Sequence, residues 1–204
     1  MNEAQLLIAT TNPGKAREIK NFLASLPLKI ITLDQLRLKQ SYPETETSFL
    51  KNAQSKSLFY SRFWPYLTLA EDSGLEIEYL GGRPGVLSAR FSGPAATDAT
   101  NIEKVLKLME GVPWSQRKAR FVSCLVLSQK QKILKEIIEK VEGYITSEKK
   151  GEGGFGYDPI FYYPPFKKTF AQLSTEEKNK ISHRGLSLTR LKEYLLFYLT
   201  SSKS

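Results

Sequence analysis

One cysteine and one histidine in 204 residues remove several chemistries at the outset. Cys124 alone cannot build an internal disulfide framework or a cysteine zinc site. Between Phe121-Val122-Ser123 and Leu125-Val126-Leu127 it reads as a buried strand thiol, not a nucleophile. A Ser-His-Asp relay would have to be built on His183. No apolar run approaches the ~20 residues that span a bilayer. Met1-Asn2-Glu3-Ala4-Gln5 lacks the basic region of a signal peptide, so the expected location is cytoplasmic, without a membrane partner. Long runs of like charge are missing too. The net charge of +9 is scattered along the chain, which suits a polyanionic small molecule as well as a nucleic acid.

What is present reads as a single α/β domain covering residues 1–204. Gln5 to Thr10 is a short apolar strand, Thr11-Asn12-Pro13-Gly14-Lys15 a turn, and a helical period follows through Ala16, Ile19, Leu23 and Leu26 to Pro27. Lys29 to Leu33 reads as a second strand, parallel to the first. A polar loop, Gln40 to Thr47, leads to a helix over roughly Ser48 to Arg62, with Phe49, Ala53 and Leu58 inward. Thr97-Asp98 caps a helix carrying Ile102, Val105, Leu106 and Met109. Ala119–Ser128 and Lys132–Ile145 form a hairpin, with Ile137, Ile138 and Val141 expected to face the interior. Ser174 and Glu177 fit a capping box, and the last helix carries Leu188, Leu191 and Leu195 inward.

Four stretches could carry chemistry. Leu67-Thr68-Leu69-Ala70 reads as a buried strand that ends in Glu71-Asp72-Ser73-Gly74, where the carboxylates could hold a hard cation or occupy an exposed turn. A second, half-exposed strand is expected over Leu75 to Leu80. The turn before the first helix is an anion-ready layout, since helix-start N–H groups are unpaired and Lys15 adds a full charge; it is not the GxxxxGK[ST] phosphate loop. Gly151 to Pro159 interleaves four glycines with Phe155 and Tyr157, a composition able to stack a purine and read its edge with backbone groups. Lys178, Lys180, His183 and Arg184 make either a phosphate or base clamp or a solvated basic face. Glu44 and Lys56, taken alone, read as solvated surface groups.

Together these segments resemble the inosine/xanthosine triphosphate pyrophosphatase family. The matching stretches are Thr10 to Lys15 with Glu18, Ala70 to Leu75, Arg83 to Val86 with Ser88-Ala89-Arg90, Gly154 to Pro159, and Lys178 with Ser182-His183-Arg184-Gly185. The resemblance implies an elongated mixed β-sheet with flanking helices, in two lobes around a central active-site cleft, and a homodimer. It also implies Mg²⁺-dependent hydrolysis of ITP, dITP or XTP to the monophosphate and pyrophosphate, which clears the nucleotide pool, and no stable nucleic-acid complex. By position, Thr10, Thr11, Asn12, Pro13, Gly14 and Lys15 would cradle the triphosphate, with Lys56 as a second cation and Ser73 touching substrate. Glu44 and Asp72 would hold the metal, and Asp72 would accept the proton of the attacking water. Phe155, Gly156, Tyr157, Asp158, Lys178, His183 and Arg184 would bind the purine. The chain departs from the family pattern at Glu46, commonly glycine, and at Lys51, commonly an acid, so Glu46 competes with the favoured Glu44 for the metal. Other readings are a pyrophosphatase for modified pyrimidine or canonical nucleotides and a basic nucleic-acid-binding protein.

Overall fold

The computed structural model describes residues 4–36, 38 and 40–201. The described residues form a mixed α/β protein built on a seven-stranded sheet. In chain order the strands are β1 (Gln5–Ile8), β2 (Lys29–Thr32), β3 (Leu67–Ile77), β4 (Lys118–Gln129), β5 (Lys132–Ile145), β6 (Phe161–Tyr163) and β7 (Lys168–Thr169). The helices are α1 (Pro13–Leu23), α2 (Leu33–Leu36), α3 (Phe49–Tyr60), α4 (Asp98–Leu108), α5 (Thr175–Ile181) and α6 (His183–Ser201). The sheet runs β2-β1-β3-β4-β5-β6-β7. β1 pairs in parallel with β2 and with β3, whereas β6 is antiparallel to both β5 and β7.

The chain forms two compact units: Met1–Asp72 with Cys124–Ile138 and Ser187–Ser204, and Ser73–Ser123 with Glu139–Leu186. In the first, β1 is covered on both faces. Leu6 and Ile8 pack with Ile19 and Leu23 of α1 and Leu188, Leu191 and Leu195 of α6. Leu7 and Ala9 point the other way, toward Tyr60 and Leu33. Because side chains alternate between two covered faces, Leu6, Leu7 and Ile8 are apolar in succession. In the second unit Leu75 and Ile77 pack with Ile102, Val105 and Met109 of α4 and with Phe121, Phe161 and Phe170.

Several local expectations change. α1 starts at Pro13, because Asn12 caps it by accepting the Lys15 N–H, so Lys15 lies in the first turn; the helix stops at Leu23, short of Leu26. Leu33 opens α2 and does not extend β2. β3 does not end at the carboxylates: it continues unbroken through Glu71-Asp72-Ser73-Gly74 to Ile77, and a 3-10 turn, Glu78–Leu80, takes the rest of the supposed second strand. Gly74 permits this, since a Cβ there would lie 2.3 Å from Ser88 Oγ and 2.8 Å from Gly85 O. Ile138 is exposed while Ile137 and Val141 are buried, because neighbouring strand residues face opposite ways. The hairpin turn narrows to Lys130 and Gln131, both at positive φ.

Candidate functional site

Asp72 is the centre of the first unit's polar cluster. It is only 5% exposed and Glu71 only 1%, so neither sits in the exposed turn that composition allowed. Burial pushes the Asp72 carboxyl above its ordinary range; the charges of Lys15 and Lys56 and the hydrogen bond from Asn52 oppose that, and Glu44 adds to it. Those influences bring together α1, α3 and the loop before α3 around one side chain. Asn52 Nδ2 donates to Asp72 Oδ2 at 2.9 Å. Lys56, expected on the surface, is buried; its ammonium donates to the Glu44 carboxylate and to the Glu71 carbonyl at 3.1 Å. Burying an amino group in this way is tolerable only because a full negative charge and a carbonyl receive it. Glu44 is an acid that acts on Asp72. Residue 46 enters through its backbone, which exchanges two hydrogen bonds with the Asn52 side chain.

The loop before α1 takes up within itself N–H groups that its composition left open to an anion. Thr10 Oγ1 accepts the Asn12 N–H at 3.2 Å, and Asn12 Oδ1 accepts the Lys15 N–H at 3.0 Å. Pro13 has no N–H to satisfy, so it suits the first helical position. Thr11 and Pro13 are exposed, and Gly14 and Lys15 are half-buried.

The second unit gathers a different set. Asp158 and Lys178 form a buried ion pair at 2.6 Å, and the same Asp158 oxygen accepts the Phe155 N–H at 2.9 Å. Gly154 must take φ +73° here, and a Cβ on it would lie 2.0 Å from that oxygen. The Phe155 ring then lies 4.9 Å from the Lys178 ammonium and 5.1 Å from the Arg184 guanidinium carbon, two cation–π contacts on one ring. Arg184 Nη2 also donates to Ser73 Oγ at 3.0 Å. His183 opens α6 and stacks on Phe121 with centroids 4.6 Å apart. Lys178, His183 and Arg184 are all buried, which removes the solvated-face reading; Lys180 alone of the four is exposed, paired with Glu176. Tyr157 is a core ring whose hydroxyl donates to Ser88 O at 2.8 Å; burial, with a smaller contribution from Asp98, holds that hydroxyl far above the ordinary phenol range. Gly156 offers its N–H to Asp98 at 2.7 Å.

Sequence reasoning gave Asn52 no role in the site, although it is a polar residue on the inward face of α3 beside Phe49, Ala53 and Lys56. It also left Arg117 aside, a buried guanidinium that binds the carbonyls of Met109, Val112, Ile145 and Thr146 and ties β4 to β5. Arg90, part of the matching motifs, is exposed.

A parallel strand pair that leads into a helix start beside a buried carboxylate is a layout open α/β proteins use for ligand binding. The chain belongs to the Ham1 family, whose model matches residues 6–194. It is 43% identical over 195 residues to the dITP/XTP pyrophosphatase of Caldanaerobacter subterraneus subsp. tengcongensis, covering 94% of this chain and 96% of the relative. The Bacillus subtilis protein of the same name is also 43% identical over 195 residues, covering 96% and 98%. Among solved structures, a HAM1 protein from Coxiella burnetii superposes with a TM-score of 0.85 at 37% identity, covering 95% of this chain and 98% of that one. The family anticipated from the motifs is the family found.

Proposed function

We propose that this protein hydrolyses non-canonical purine nucleoside triphosphates, ITP, dITP and XTP, to the nucleoside monophosphate and pyrophosphate. One observation carries the reading: Asp72, buried in a strand, has Lys15, Lys56 and Glu44 as its electrostatic neighbours. Two cations and two carboxylates so arranged suit a triphosphate and a divalent cation, and the relatives' names agree with that substrate class.

The donor set fits Mg²⁺, which takes hard oxygens and is commonly held by one or two carboxylates plus substrate phosphates. Glu44 and Asp72 would supply the protein's two, and burial leaves the Asp72 charge in want of a cation. The metal, when bound, neutralises phosphate charge and makes water a better nucleophile. The chain's own residues do the rest. Thr10 to Lys15 orient the triphosphate through the positive end of α1 and the Lys15 ammonium. Lys56 holds Glu44 in place. Asp72 accepts a proton from the water that attacks the α phosphorus, the α–β bridging bond breaks, and pyrophosphate leaves with the electron pair. Because Asp72 is buried and poorly hydrated, its carboxylate is a stronger base than a surface aspartate.

Phe155, Gly156, Tyr157, Asp158, Lys178, His183, Arg184 and Ser73 handle the nucleoside end. Asp158 and Tyr157 act by shaping the loop, through the Lys178 pair and the Ser88 bond. The cationic groups supply donors for a 6-oxo purine; adenine presents an amino group there and would leave them unpaired. We further propose that residues 1–204 act as one enzymatic domain, in a cytoplasmic homodimer without a stable nucleic-acid complex.

The deciding experiment measures monophosphate and pyrophosphate release from ITP, dITP, XTP, GTP and ATP with Mg²⁺. Selective release from the first three supports the reading. Equal turnover of ATP, or release of orthophosphate instead of pyrophosphate, overturns it.

A further inference from the structure

Segment 40–46 has no regular secondary structure, yet it carries Glu44. Two side chains of α3 hold it, Asn52 and Lys56, four residues apart and therefore on one helix face. Lys56 takes the Glu44 carboxylate. Asn52, fully buried, uses its whole carboxamide. Its Oδ1 accepts the Glu46 N–H at 3.1 Å, and its Nδ2 donates to the Glu46 carbonyl at 3.3 Å and to Asp72 Oδ2 at 2.9 Å. One planar group thus fixes both the loop that bears Glu44 and the strand residue opposite it.

We propose that Asn52 is a positioning residue for the cation site: it sets the placement of Glu44 relative to Asp72 before a divalent cation arrives. The inference rests on the proposed Glu44–Asp72 metal pair. The physical reason is that two carboxylates repel, so they hold a productive separation only if the backbone beneath one and the oxygen of the other are tied to a common rigid group. A helix side chain with no solvent to rotate into is such a group. A purely structural Asn52 would lower stability when replaced and leave the cation affinity of the folded protein unchanged.

Asn52→Leu keeps the approximate volume and makes none of the three bonds. Cation binding is read without nucleotide, from the rise in unfolding temperature on adding Mg²⁺, and separately from the Mg²⁺ dependence of pyrophosphate release. The expected result is a Mg²⁺ half-saturation raised about 10- to 100-fold, the usual effect of losing a group that orients a metal ligand. KM for ITP at saturating Mg²⁺ should stay within about threefold, since the interaction lost is not with the nucleotide. In a Glu44→Gln background the same replacement should add little, because both changes act on one element. Unchanged Mg²⁺ affinity in folded Asn52→Leu, or full additivity with Glu44→Gln, overturns the proposal. Should Asn52→Leu fail to fold, Asn52→Ser is measured identically, and wild-type Mg²⁺ affinity in that variant is equally fatal. If the wild-type protein releases no pyrophosphate from ITP, the functional reading fails, while the nucleotide-free arm still decides the role of Asn52.

Discussion

Replacing Asp72 with asparagine should cut turnover sharply and make the metal-free protein more stable. The side chain keeps its shape, and Asn52 Nδ2 still finds an oxygen to donate to. Lys56 keeps Glu44 and the Glu71 carbonyl. What disappears is a negative charge for which desolvation is the largest influence, ahead of Lys15 and Lys56, with Glu44 adding repulsion. Relieving a functional strain of this kind commonly returns about 0.5–2 kcal/mol. For a chain of this length each kcal/mol is roughly 2–4 °C in Tm. The sign with pH follows from proton linkage. The folded pKa of Asp72 lies above its ordinary value, so the folded state holds a proton that the unfolded state has released, and wild-type stability falls as pH rises through that window. The variant's advantage is therefore complete above the folded pKa and vanishes below the unfolded one. Mg²⁺ should reverse the order: at about 100 times Kd it stabilises the wild type by ~2.7 kcal/mol and the variant hardly at all. Turnover should drop roughly 10²- to 10⁴-fold, the range for losing a general base. Thermal melts at several pH values, with EDTA or Mg²⁺, and pyrophosphate release test all of this. A variant that melts lower than wild type in EDTA at neutral pH would refute the strained-carboxylate argument; an active one would refute the assigned role.

Two further substitutions probe the second unit. Lys178→Met should cost about 3–5 kcal/mol by leaving Asp158 charged and buried, whereas Lys178→Met with Asp158→Asn should recover most of it; chemical denaturation of these two variants and of Asp158→Asn alone measures the cycle, and a cost under about 1 kcal/mol for Lys178→Met contradicts a buried pair. Gly74→Ala should destabilise by about 1–3 kcal/mol, because the new methyl meets Ser88 Oγ at 2.3 Å; an unchanged melting temperature would mean that β3 does not pass so close to the Gly85–Arg90 turn.

The sequence alone determined the elements whose cause is local. The buried apolar β1, the Thr97 and Ser174 caps, the buried Cys124 and the leucines of α6 all follow from periodicity and capping chemistry within a few residues. The ordered set of short motifs also named the family. Only the tertiary structure decided which charges are buried. Lys56, Lys178 and Arg184 are surface residues by type, and each is drawn inward beside a partner 12 or more positions away: Lys56 by the half-exposed Glu44, Lys178 by Asp158, Arg184 by Ser73. Asn52 is a single letter in a helix until Glu46 and Asp72 close around it. The continuation of β3 past Asp72 likewise depends on Ser88 and Gly85 approaching Gly74. Local propensity acts over a turn of chain, whereas desolvation and ion pairing depend on what folding brings alongside, and that is where the chemistry of Asp72 was set.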